Sequence, residues 1–133
     1  KYIYNFGIQL GLAFQLQDDY LDAFGNEETF GKKIGGDIIE NKKTILYHLA
    51  LKHGSKKQFK ILNTFFKNDQ KSNEKKIKIV KDLFINTGAK KEVKKMIKYH
   101  SKLAEIELEK LSLKGSQKMK FILLKEWLIR RKY

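Results

Sequence analysis

The sequence predicts an all-α fold, and three observations carry that prediction. Apolar residues recur at intervals of three and four through most of the chain, the period of a helix buried on one side. No segment alternates apolar and polar residues over the length of a strand. The chain has no proline, so nine glycines and a few polar clusters must do all the punctuating between helices.

Tyr2 to about Phe24 reads as one helix, with Phe6, Leu10, Phe14, Gln15, Asp18 and Asp22 at helical spacing. "GNEETFGKKIGG", Gly25 to Gly36, carries four glycines and reads as a loop. Helical periodicity returns from Asp37 to about His53 through Ile38, Ile45, Leu49 and Leu51, and stops at Gly54. Ser55 reads as the N-cap of a short helix through Phe59, Leu62 and Phe66. "KNDQKSNEKK", Lys67 to Lys76, reads as a polar connection. Ile77, Val80 and Phe84 then mark an amphipathic helix that stops near Thr87 and Gly88. Val93, Met96, Ile97, Leu103, Ala104, Leu108 and Leu111 mark a second, longer one. Gly115 breaks the chain before a last short helix, Phe121 to Ile129. Phe6, Phe59, Phe65, Phe66, Phe84 and Phe121 are read as core.

Composition narrows the classes of function. A chain of 133 residues fits one domain or part of one and can bury a real core. With no cysteine there is neither a disulfide framework nor cysteine-ligated zinc, which is compatible with a reducing, cytoplasmic compartment. No apolar run approaches the roughly 20 residues of a membrane span. The first residues, "KYIYNFGIQLGLAF", lack a signal-peptide cleavage pattern and read as a helix entered part-way along. Net charge is +14, yet 27 of the 29 basic residues are lysine, and they are scattered along several helices. A nucleic-acid surface enlists arginine for its phosphate forks and base edges, so base-composition bias is the better reading of this charge. His48, His53 and His100 show no metal-ligand spacing and read as surface or packing residues.

The chemistry concentrates in "FQLQDDYLDAFG", Phe14 to Gly25. On a helix Asp18 and Asp22 are i, i+4 neighbours and Asp19 and Asp22 are i, i+3 neighbours, with Gln15 one turn before Asp18. Such like-charge pairs cost a few tenths of a kcal/mol each on a surface and more in a cleft. A hard divalent cation removes the penalty, because Mg2+ takes one or two carboxylates together with water and phosphate oxygens. The bland alternative is a solvated acidic face. Against it stand the apolar surroundings of the cluster and the basic glycine loop that follows, "FGKKIGGDIIENKKT", in which Lys32 and Lys42 could close over an anion. Lys43 is better read as a solvated lysine.

Gly11 to Thr44 resembles the second aspartate-rich region of trans-isoprenyl diphosphate synthases, the polyprenyl synthetases that include farnesyl and geranylgeranyl diphosphate synthases. The family pattern G-x-x-F-Q-x-x-D-D-x-x-D, then G-K-x-x-G-x-D, then a lysine shortly before Thr or Ser, is matched by Gly11, Phe14, Gln15, Asp18, Asp19, Asp22, Gly31, Lys32, Gly35, Asp37, Lys42 and Thr44. The resemblance implies the C-terminal part of the isoprenoid-synthase helical fold and an Mg2+-dependent prenyltransferase. Such an enzyme condenses an allylic diphosphate with isopentenyl diphosphate in isoprenoid biosynthesis. Residue by residue, it implies that Asp18 is the principal metal ligand, assisted by Asp19 and Asp22. Asp37 holds metal-bound water or orients a lysine. Lys32 and Lys42 contact the allylic diphosphate, and Gln15 lies near the developing cation. Arg130 and Arg131, in the tail "IRRKY", face the isopentenyl diphosphate site or are simply solvated. A homodimer is implied for the complete enzyme.

The family's first aspartate motif, with its Arg-Arg partner, does not occur in this chain. The expectation is therefore a C-terminal portion holding half of a metal site, with little turnover alone. Two other readings stay open: a non-catalytic partner subunit of a prenyl synthase, and a basic helical module that binds nucleic acid or an anionic membrane.

Overall fold

A computed structural model describes residues 1–26, 34–67 and 73–129. Among these residues there are seven helices and no strand, so the all-α prediction holds. The helices are α1 (Tyr2–Phe24), α2 (Gly36–Ile39), α3 (Ile45–His53), α4 (Lys56–Lys67), α5 (Asn73–Asn86), α6 (Ala89–Glu109) and α7 (Gly115–Ile129).

The two long helices, α1 and α6, form the axis of the structure and run antiparallel. Asn5 donates to Glu107 at 3.0 Å, Gln9 meets His100 at 2.7 Å, and the Lys90 ammonium lies 4.3 Å from the centre of the Phe24 ring. As the α1 number rises the α6 number falls, which fixes the direction. Ala13, Ala89 and Ala104 are fully buried, and side chains this small let neighbouring helices approach closely. Phe6, Leu10, Ala104 and Leu108 build one apolar cluster, against which Phe121, Ile122 and Leu128 of α7 pack. The larger cluster joins Leu16 and Ala23 of α1 to Ile38, Leu46, Leu62, Phe66, Val80, Phe84, Val93 and Ile97. Each fully buried side chain of this kind contributes about 1.5–3 kcal/mol relative to exposure. No described helix is long and apolar enough to cross a membrane.

Four expectations need correction. The helix read over Asp37–His53 is two helices. Asn41 takes a left-handed conformation, φ 58°, which ends α2, and Thr44 is extended before α3 begins. Phe59 is 47% exposed on the outer side of α4, whose buried positions are Leu62, Phe65 and Phe66. The polar connection is shorter than Lys67–Lys76, because α5 begins at Asn73 and takes in Lys76. Gly115 opens α7 instead of breaking the chain, and the Gln117 side chain accepts from the backbone N–H of Lys114 at 3.3 Å. The expected cap at Ser55 is present as a reciprocal pair. Gln58 N–H donates to Ser55 Oγ at 3.3 Å, and Ser55 N–H donates to Gln58 Oε1 at 2.8 Å.

Candidate functional site

The last turns of α1 carry the acidic cluster, and the structure gives its aspartates different work. Asp22 Oδ2 accepts from the backbone N–H of Asp37 at 3.0 Å, in the first turn of α2. The Asp22 carbonyl accepts from Gly35 N–H at 2.7 Å. This close approach needs glycine at position 35, where φ is 88° and a Cβ would lie 2.8 Å from the Ile77 side chain. Asp19 Oδ2 makes a longer contact, 3.5 Å, with the N–H of Ile45 at the start of α3, where Thr44 supplies no side-chain cap. Asp18 is exposed and has no hydrogen-bond or ion-pair partner among the described residues.

Lys42 completes the group. Its ammonium donates to Asp37 Oδ1 at 2.6 Å and lies 3.1 Å from Glu40 Oε2, with the side chain more than half exposed. The Asp37 carboxylate, then Glu40, hold the Lys42 ammonium well above the usual lysine range. Lys42 is thus a firmly charged cation parked on two carboxylates.

Burial raises the Asp19 carboxyl above the usual range, with the charges of Asp37 and Asp18 adding to it and the Ile45 N–H opposing. Burial likewise pushes Asp22 up, to about 6, against the opposing Asp37 N–H bond, and the neighbouring Asp37 and Asp18 charges add to the rise. A carboxyl raised in the folded state favours folding while protonated. That advantage fades as pH rises from 3.8 to about 6. The chain without divalent cations should therefore gain from Asp22→Asn at pH 7 and not at pH 4. A rise of this size in a fully buried group would correspond to about 3 kcal/mol. Asp22 is only half-buried, so screening reduces the expected gain to about 1–2 kcal/mol. Thermal melts of both forms across this pH range check it.

Beside the cluster, between α1, α3 and α6, lies a cleft of about 530 Å³. Its lining is apolar through Leu12, Leu16, Ile45 and Met96, and polar through Gln15, Asp19 and Lys42. His48 and His100 line it as well, and His100 Nδ1 lies 2.7 Å from Gln9 Oε1. Sequence spacing could not reveal that these two histidines line one cleft, because they come from different helices.

Of the residues singled out in the sequence, Gln15, Asp19 and Lys42 meet at the cleft, while Asp22, Asp37 and Lys42 are joined by hydrogen bonds. Asp18 stands apart from both sets. Lys32, Arg130 and Arg131 lie outside the described residues. Among the described residues no three of His, Asp and Glu converge as a ready-made metal cage. The donors nevertheless fit one kind of cation. Several hard carboxylate oxygens whose mutual repulsion Lys42 relieves only in part suit an ion that takes one or two carboxylates and fills its remaining positions from water and phosphate.

Residues 1–83 match the model of the family described as polyprenyl synthetase. The chain is 46% identical over 81 residues to a farnesyl pyrophosphate synthase of Nezara viridula, an alignment covering 61% of this chain and 19% of that protein. A crystal structure of a geranylgeranyl pyrophosphate synthase superposes with a TM-score of 0.87 at 38% identity, over 99% of this chain and 41% of its own. A polyprenyl synthase from Caulobacter crescentus CB15, solved in complex with calcium and isoprenyl diphosphate, superposes with a TM-score of 0.86 at 25% identity, over 99% and 40%. This chain therefore spans about a fifth of the first relative and about two fifths of each solved one. The all-α architecture is that of the isoprenyl synthases. Within that class, the chain belongs to the polyprenyl synthetase family.

Proposed function

We propose that the complete protein is an Mg2+-dependent prenyltransferase of isoprenoid biosynthesis that joins an allylic diphosphate to isopentenyl diphosphate. This chain would supply its second aspartate-rich region. The observation that carries the proposal is that Asp18 is exposed and unpartnered among the described residues, on the same two turns as Asp19 and Asp22. Asp19 lines the apolar cleft with Lys42, and Asp22 is bonded to the turn that carries Lys42. The Caulobacter crescentus relative, with its calcium and isoprenyl diphosphate, supports a divalent cation and a prenyl diphosphate as the ligands.

Asp18 would hold the cation, with Asp19, Asp22 and Asp37 contributing negative charge around it. When bound, the cation neutralises charge that develops on the departing diphosphate. Lys42 would exchange its present carboxylate partners for a diphosphate oxygen, keeping its charge throughout. Lys32, by the family pattern, would do the same, and Arg130 and Arg131 would serve the second diphosphate. The Gln15 amide oxygen would face the positive charge left on the prenyl carbon. Leu12, Leu16, Ile45 and Met96 would exclude water beside it. A homodimer is part of the same proposal.

Calorimetric titration of pyrophosphate into this chain tests the reading. Binding should appear with Mg2+ and weaken by about tenfold or more, 1.4 kcal/mol, when the metal is chelated. Steeply salt-dependent binding of DNA that ignores Mg2+ would favour the basic-module reading instead.

A further inference from the structure

We propose that Lys76, a buried lysine on α5, is a positioning residue that sets where Lys42 stands in the site. The inference rests on the reading of Lys42 as a diphosphate contact. Lys76 is 3% exposed and has no ion-pair partner among the described residues. Its ammonium donates to the Ile39 carbonyl at 3.2 Å and to Asn41 Oδ1 at 2.7 Å, and it lies 5.9 Å from the centre of the Phe66 ring. Burying an ammonium is unfavourable unless hydrogen bonds compensate. Both of the acceptors that compensate here belong to the segment immediately before Lys42.

That segment is the end of α2. Asn41 N–H donates to the Ile38 carbonyl at 3.3 Å and Lys42 N–H to the Asp37 carbonyl at 2.9 Å, around Asn41 in its left-handed conformation. This is the paired closure of a Schellman motif, with asparagine where glycine is usual. Lys76 takes up the last helical carbonyl, Ile39, and grips the side chain of the strained residue. A positive charge at that end of the helix also suits its dipole. Asp22 fixes the other end of α2 through the Asp37 N–H. Lys42 therefore leaves a turn held from α1 on one side and from α5 on the other, and its ammonium returns to Asp37.

Lys76→Met, examined in this chain well below its melting temperature, separates bracing from mere packing. Amide exchange at Asn41 and Lys42 should rise about tenfold or more, while α1 and α6 keep their protection. The dissociation constant for pyrophosphate with Mg2+ should rise by about tenfold as well. Adding Asn41→Gly, which adopts the left-handed conformation without strain, should recover part of both losses. Should Lys76→Met not fold, Asn41→Ala removes the acceptor while leaving α5 intact, and the same local rise in exchange is expected. Unchanged exchange at Asn41 and Lys42, or a rise spread evenly along α5, overturns the brace. A selective rise in exchange, in a chain whose wild type binds no pyrophosphate with Mg2+, upholds the brace and removes the diphosphate role of Lys42.

Discussion

Asp18→Ala should abolish Mg2+-dependent binding of pyrophosphate to this chain and lower turnover of the complete enzyme on the order of 10²–10³-fold. The reason lies in how α1 distributes its carboxylates. Asp22 commits an oxygen to the Asp37 N–H at 3.0 Å, and Asp19 leans on the N–H of Ile45. Asp18 is exposed and makes no such bond among the described residues. Its removal therefore leaves no buried donor unpaired, and it relieves repulsion of Asp22 one turn away, worth a few tenths of a kcal/mol. The melting temperature should stay level or rise slightly while ligand binding disappears. At pH 4, below the raised Asp22 value, Asp22→Ala should behave in the opposite sense for stability, since it strands the Asp37 N–H at a cost of about 1–3 kcal/mol with no charge burial to relieve. Calorimetry and thermal melts on the same two variants distinguish these roles. Retention of Mg2+-dependent binding by Asp18→Ala would move the metal away from this aspartate.

How much of this was legible in the sequence follows from the range of each interaction. The extent of α1 could be read directly, because its apolar period is continuous and Gly25 ends it. The cap at Ser55 was legible because both partners lie within one turn. The split between α2 and α3 was hidden, since Ile38 and Ile45 keep helical phase across a break whose cause is the φ of Asn41. The aspartates were legible as a cluster, but their division of labour was not. That division depends on which backbone N–H groups α2 and α3 bring to α1. Lys76 was the hardest to find. In sequence it sits in "NEKKIKIVK", one lysine among four, and only burial against α2 distinguishes it. In a chain this rich in lysine, composition hides a buried one.

The largest loss of stability is expected at Phe84. Its side chain is 1% exposed and belongs to the cluster that joins Ile38 of α2, Leu46 of α3 and Val93 of α6. Truncation to alanine removes the ring and leaves a cavity that close-packed neighbours can fill only in part, at a cost of about 3–5 kcal/mol. A domain of this size is stable by only about 5–15 kcal/mol, so Phe84→Ala should take a large share of the total. Urea denaturation should show a lower midpoint with an unchanged slope. Phe59→Ala, at an exposed position on α4, should stay within about 0.5 kcal/mol of wild type. The consequence reaches the site, because α5 carries both Phe84 and Lys76, and α2 reaches the same cluster through Ile38. Loosening α5 should therefore weaken pyrophosphate binding before the chain unfolds, a coupling that Phe59→Ala should lack. If Phe84→Ala instead costs under about 1 kcal/mol, less than the least expected for such a truncation, α5 is not the buried strut from which the turn before Lys42 is held.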